Sequence, residues 1–129
     1  MEETKEISLV NTESRERIIL EKDRVLVGRL AKSRHIGLKS RLANKVHALL
    51  DKKDGHVRVA DLGSGDGTWL NGRLLAPGTY AELFDGDEIV FADEMFRFEK
   101  KERIMNHHEE AVSDHDHINN RQHPYVHYL

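Results

Sequence analysis

Turn signals crowd the middle of this chain so tightly that a helix of ordinary length has no room to form. Asp54-Gly55, Gly63-Ser64-Gly65-Asp66-Gly67, Asn71-Gly72, Pro77-Gly78 and Asp85-Gly86-Asp87 interrupt it in quick succession. Residues of these types favour bends, each through its own backbone or side-chain preference. Between the bends lie short apolar or alternating runs rich in Val, Ile, Leu and Phe: 7–10, 17–21, 24–27, 36–38, 46–50, 56–61, 69–70, 89–91 and 95–99. Such runs read as strands. No window of about 11 residues before Lys100 carries an uninterrupted helical stripe. Asn71-Gly72 lies between Trp69-Leu70 and Arg73-Leu74-Leu75, which predicts a type I′ hairpin turn. Alternation along that arm is expected to turn Trp69 into the core. The pattern predicts an all-β chain, an antiparallel sandwich or barrel.

The chain has 129 residues, 38% of them hydrophobic and 33% charged, which suits one domain with a modest core. A net charge of −3 argues against a general nucleic-acid or membrane-surface binder. No apolar run is long enough to span a bilayer. The start, Met1-Glu2-Glu3-Thr4-Lys5-Glu6, has no apolar stretch of the kind a signal peptide needs. With no cysteine, thiolate catalysis, disulfides and cysteine-based zinc sites are excluded. A reducing, intracellular location, cytoplasm or nucleus, is expected.

The small net charge hides a segregated pattern. Arg29, Lys32, Arg34, Lys39, Arg41 and Lys45 fall within 29–47 without a single acid. Between Glu82 and Glu99, seven acids face Arg97 alone. The first stretch is a candidate anion site, with solvated loops as the plain alternative. After Lys100 the composition shifts to His, Asn and acids. The domain is expected to span 1–100, with 101–129 a polar, His-rich tail, mobile or loosely docked. His115 and His117 could pair on a metal, but a solvated role is expected and no metal site is assigned.

Val59-Ala60-Asp61-Leu62-Gly63-Ser64-Gly65-Asp66-Gly67 resembles the first motif of S-adenosylmethionine methyltransferases, a strand, an acid and a glycine loop before a helix. The next residues, Thr68-Trp69-Leu70-Asn71-Gly72 and then Pro77-Gly78, leave no place for that helix. This enzyme reading is therefore kept only as an alternative. A hydrolase triad of Ser64, His47 and Asp61 has no other support.

A longer, ordered set of motifs covers most of the chain: Val27-Gly28-Arg29; Ile36-x-Leu38; Asn44-Lys45-Val46-His47-Ala48; Asp61 through Gly72; and Leu83-x-Asp85-Gly86-Asp87-x-Ile89-x-Phe91. This set, spanning about Val25 to Phe98, resembles the forkhead-associated (FHA) domain. The resemblance implies a two-sheet antiparallel β-sandwich whose loops at one end bind phosphothreonine peptides. It implies a non-catalytic adaptor without a cofactor, recruiting phosphorylated proteins. A second protein partner would meet the tail or the opposite face. The same fold used as a constitutive protein–protein module, without phosphate dependence, is the other alternative.

A phosphothreonine brings about −1.5 to −2 charges and three acceptor oxygens. Arg29, following Gly28 at a strand end, offers a planar fork for two of those oxygens. Lys45 offers a point charge and Asn44 an amide donor. By the resemblance, Arg29 matches the phosphate-binding arginine, Asn44 stands where the family usually has a serine, and Lys45 fills the basic position after it. Gly65, Asp66, Arg34 and Arg41 are expected to contact the peptide, with Lys32 at the rim. His47 matches a structural histidine that braces the loops, and Gly28, Gly67, Thr68, Asn71 and Gly72 are turn-formers and braces. The family's loop usually reads Ser-Thr-Asn-Gly-Thr, whereas here it reads Ser64-Gly65-Asp66-Gly67-Thr68. An aspartate accepts but cannot donate. The change is expected to favour peptides with Lys or Arg near the phosphothreonine, or to weaken binding. Thr4, with Ile7 three residues on, is a polar residue before the first strand rather than a docking motif.

Overall fold

The computed structural model of the chain describes residues 2–29, 36–105 and 126–128. Arg34, Lys32 and the His115–His117 pair lie outside the described residues. Every element among the described residues is a strand: β1 (Glu2–Asn11), β2 (Arg17–Ile19), β3 (Arg24–Gly28), β4 (Ile36–Gly37), β5 (Ala48–Lys53), β6 (His56–Asp61), β7 (Thr68–Leu70), β8 (Arg73–Leu74), β9 (Tyr80–Leu83), β10 (Glu88–Phe91), β11 (Glu94–Met105) and β12 (Val126–Tyr128). They form two sheets, ordered β12-β2-β1-β11-β10-β7-β8 and β4-β3-β5-β6-β9. The described pairs are antiparallel except β3 with β4 and β12 with β2, which run parallel. The all-β sandwich expected from the sequence is the fold observed.

Alternation builds the core. In β6, Val57 and Val59 point inward while His56 and Arg58 face solvent. In β10 and β11, Ile89, Phe91, Phe96 and Phe98 line the inner face of the larger sheet and pack on Val25, Val27, Leu50 and Leu83 of the smaller one. Burying Phe91 and Phe98 stabilises the sandwich by about 1.5–3 kcal/mol each. Phe91 also takes an edge-to-face contact from Phe96, with ring centroids 5.8 Å apart. On the outer face of the larger sheet, Glu99 accepts from both Arg17 and Arg97. Burial pushes the Glu99 carboxyl up, and those two arginines more than reverse it, holding it below the usual range.

Three features depart from the sequence reading. β11 runs past Lys100 to Met105, and β12 adds residues near the C-terminus to the same sheet. β9, at the edge of the smaller sheet, was not among the expected strands, because Tyr80-Ala81-Glu82-Leu83 offers only one fully buried position. Trp69 does not enter the core: it is 36% exposed, while Thr68 before it is fully buried. With a side-chain period of two, a strand that turns Thr68 inward must turn Trp69 outward.

The Asn71-Gly72 turn joins β7 to β8 with both residues at positive φ, as type I′ requires. Asn71 also ties this hairpin to β10, its Oδ1 accepting from the Glu88 N–H and its Nδ2 donating to Asp87. Gly28 ends β3 where the chain returning toward β5 crosses it. A Cβ at Gly28 would sit 1.9 Å from the Lys45 carbonyl oxygen. Only a residue without a side chain lets residues 44–46 lie against the end of β3. Gly28→Ala should therefore displace this loop and destabilise the protein by about 1–3 kcal/mol, the range for overpacked sites. Urea denaturation of the variant beside the wild type measures this, as a fall in midpoint at unchanged slope.

Candidate functional site

One end of the sandwich gathers the loop after β3, the loop between β4 and β5, the loop between β6 and β7, and the turn before β11. Backbone bonds set the first two together: Arg29 N–H donates to the Asn44 carbonyl at 2.8 Å, and Leu38 N–H to the Gly28 carbonyl at 2.9 Å. Asn44 then reaches the third loop, its Oδ1 accepting from the Gly65 N–H at 3.1 Å. The predicted site residues Arg29, Asn44, Lys45, Gly65 and Asp66 thus fall at one end of the molecule.

Beneath them lies His47, with no solvent exposure. Its Nδ1 accepts from the Asn44 N–H at 3.2 Å, and its Nε2 donates to the Gly67 carbonyl at 2.9 Å. These two bonds fix the tautomer and link the 44–46 segment to the 64–67 loop. The ring edge also meets Phe91, with centroids 6.0 Å apart. Every polar atom of the ring is used, so His47 has nothing left with which to act as a base.

Asp61 does the same for the glycine loop. It is buried, and its Oδ2 accepts from the N–H groups of Gly63 and Ser64, each at 3.0 Å. Its Oδ1 accepts from Ser64 Oγ and, at 2.7 Å, from Thr68 Oγ1. Burial alone would push the Asp61 carboxyl up. The bonds from Ser64, Thr68 and Gly63 outweigh that and hold it below its ordinary value. Ser64 Oγ accepts in turn from the Gly67 N–H at 3.0 Å. With Ser64 bound to Asp61, and His47 to Gly67, the triad reading fails. Gly67 stands at a φ of 86°, and a Cβ there would lie 2.6 Å from Leu74 Cδ1. The loop leads directly into β7 and not into a helix, so the methyltransferase reading fails too.

The cations above this frame are held differently. Arg29 is exposed, and its Nε donates to the Ala43 carbonyl at 3.1 Å. Among the described residues no carboxylate pairs with Arg29, Lys39, Arg41 or Lys45. Elsewhere Arg17, Arg58 and Arg97 each have an acid within 3.0 Å. The concentration of unpaired positive charge at this end can receive a compact anion without first breaking an ion pair.

Glu94 was counted in the sequence only as one of the acids between 82 and 99. Its Oε1 accepts from the backbone N–H groups of Lys39 and, at 2.6 Å, of Ser40. It anchors the turn that carries Lys39 and Arg41 to the start of β11. No local sequence signal announces a bond across 55 positions.

Asp61 titrates with a definite sign. Because its folded value is lowered, the stability it contributes is complete above its ordinary value of 3.8 and is lost as pH falls through the folded value. Thr68→Val removes one bond to the charged form and should cost about 1.5–3 kcal/mol at neutral pH. It should also raise the pH at which the Gly63 and Ser64 amide resonances shift. An acid titration by NMR reads this, and an unchanged midpoint would contradict the assignment.

The FHA domain model matches residues 25–92, from β3 through β10. An FHA domain-containing protein of Arabidopsis thaliana is 35% identical over 69 residues, which make up 54% of this chain and 18% of that relative. The chain therefore spans under a fifth of the relative's length. Among solved structures, the FHA domain of an Arabidopsis thaliana hypothetical protein superposes with a TM-score of 0.69 at 24% identity, covering 80% of this chain and 92% of that one. Mycobacterium tuberculosis EmbR, solved in complex with a low-affinity phosphopeptide, gives 0.66 at 24% identity, covering 73% of this chain and 24% of that one. A match running through the strand that ends just before Arg29, the braced His47 and the Asp61-capped loop places this chain in the forkhead-associated domain family.

Proposed function

We propose that this chain is a non-catalytic adaptor module that binds phosphothreonine-containing segments of partner proteins at the loop end of the sandwich. The observation that carries this reading is Arg29. Its backbone and Nε are pinned by the Asn44 and Ala43 carbonyls, and no described carboxylate neutralises it. A guanidinium held at its base presents its remaining donors with little ordering cost, and its fork matches two phosphate oxygens. Lys45 adds a second positive charge. Asn44, whose Oδ1 is taken by Gly65, keeps its Nδ2 as a donor. Arg41 and Lys39, on the turn that Glu94 anchors, supply steering charge that raises association rate more than specificity. The similarity to EmbR, whose structure contains a phosphopeptide, supports the same reading.

A constitutive protein-binding role is separated from this one by the phosphate itself. A degenerate phosphothreonine peptide library should bind where its unphosphorylated twin does not. Arg29→Ala should weaken the phosphopeptide by about 10- to 100-fold or more, since about 10- to 100-fold is the equivalent of a single charge-assisted hydrogen bond. Binding should also fall below about pH 6 as the phosphate takes up its second proton. Calorimetric titration checks all three, and equal affinity for the twin peptide would leave only the constitutive role.

A further inference from the structure

The 64–67 loop borders a cleft of about 280 Å³ whose lining includes none of Arg29, Asn44 and Lys45. Its walls are Gly65, Asp66, Trp69, Leu74, Leu75 and Pro77. Two properties set it apart from the phosphate end. It is lined by exposed apolar surface, with Trp69 36% and Leu74 57% exposed. It also holds one carboxylate with free acceptors. Asp61, which touches the same cleft, has both oxygens occupied by Ser64, Gly63 and Thr68. Among the described residues Asp66 is in no ion pair, and only its backbone carbonyl is engaged, accepting from Trp69 Nε1 at 3.3 Å. That bond holds the indole beside the Asp66 segment.

We propose that this cleft receives a lysine or arginine side chain of the bound phosphopeptide. This rests on the phosphopeptide reading above and names the peptide class it selects. An aliphatic stem suits Leu74 and Pro77, and a cationic head suits the Asp66 carboxylate and the indole face. A neutral apolar side chain would leave the carboxylate unanswered, and an acidic one would be repelled by it. Charge complementarity is decisive because the neighbouring Arg29 and Lys45 disfavour any cation close to the phosphate. Asp66 is what reverses that bias on its side of the loop. The outward orientation of Trp69, forced by the inward Thr68, supplies the aromatic wall.

The test uses the whole chain and phosphothreonine peptides of otherwise neutral sequence. A single arginine is moved through the positions on either side of the phosphothreonine, each peptide paired with a citrulline twin that keeps the shape and removes the charge. Trp69 is the one tryptophan in the chain, so its fluorescence reports events at the cleft. At one position arginine should bind about fivefold more tightly than citrulline and perturb the Trp69 emission more. In D66N that ratio should close toward one. The proposal is overturned if the citrulline peptides bind and no position favours arginine, or if the preference survives D66N. If neither phosphorylated series binds at all, the phosphopeptide reading itself falls, and this inference with it.

Discussion

A buried imidazole holds the two halves of the binding end together. His47 sits between the segment that carries Asn44 and Lys45 and the loop that carries Gly65 and Asp66, bonded to both. The Gly67 carbonyl that it meets also accepts from the Ala92 N–H at 3.0 Å, so one oxygen joins the residue before β5, the glycine loop and the turn between β10 and β11. Because the ring also packs on Phe91, the loops are set by the hydrophobic core and not only by one another. A buried polar group with every bond satisfied is rigid, and an unsatisfied one is costly. The site therefore inherits the precision of the sandwich.

The structure divides its polar groups by task. Below the surface, His47, Asp61, Ser64 and Thr68 spend their capacity on each other and on backbone amides. No buried side-chain nitrogen or oxygen among the described residues lacks a partner. At the surface, Arg29, Lys39, Arg41 and Lys45 are paired with no carboxylate among the described residues, while Glu94 is used on backbone amides rather than on any of them. A site arranged this way loses little entropy on meeting an anion, because the groups that position the donors are not the groups that bind. The Ser64 hydroxyl and the His47 imidazole are likewise committed to structure.

Much of this was legible in the sequence where the constraint is local. The spacing of turn residues excluded helices, the Asn71-Gly72 pair marked its hairpin, and the apolar runs located most strands. Arg29, Asn44, Lys45, His47 and the 64–68 loop emerged from an ordered set of short motifs, and the structure brings them to one end. The convergence of Arg29 with Asn44 is held by the backbone bond between them. What stayed hidden depends on contacts distant along the chain. Glu94 acts on amides that any residue would supply. Alternation along the arm leaves open which of two neighbours turns inward, and the hydroxyl of Thr68, rather than Trp69, takes that position through its bond to Asp61. β9 and β12 are short edge strands whose pairing is decided by the neighbour they meet, and little in their own residues announces it.

Recognition of a phosphorylated threonine is proposed for one preassembled end of the sandwich. It is tested most directly by mapping amide resonances in a ¹⁵N-labelled sample during titration with a phosphothreonine peptide and, separately, with its unphosphorylated form. Shifts are expected at residues near 28–29, 40–47 and 63–67 with the first peptide, and no saturable shifts with the second. Identical shift patterns for both peptides, or shifts concentrated on the outer faces of the sheets, would contradict it.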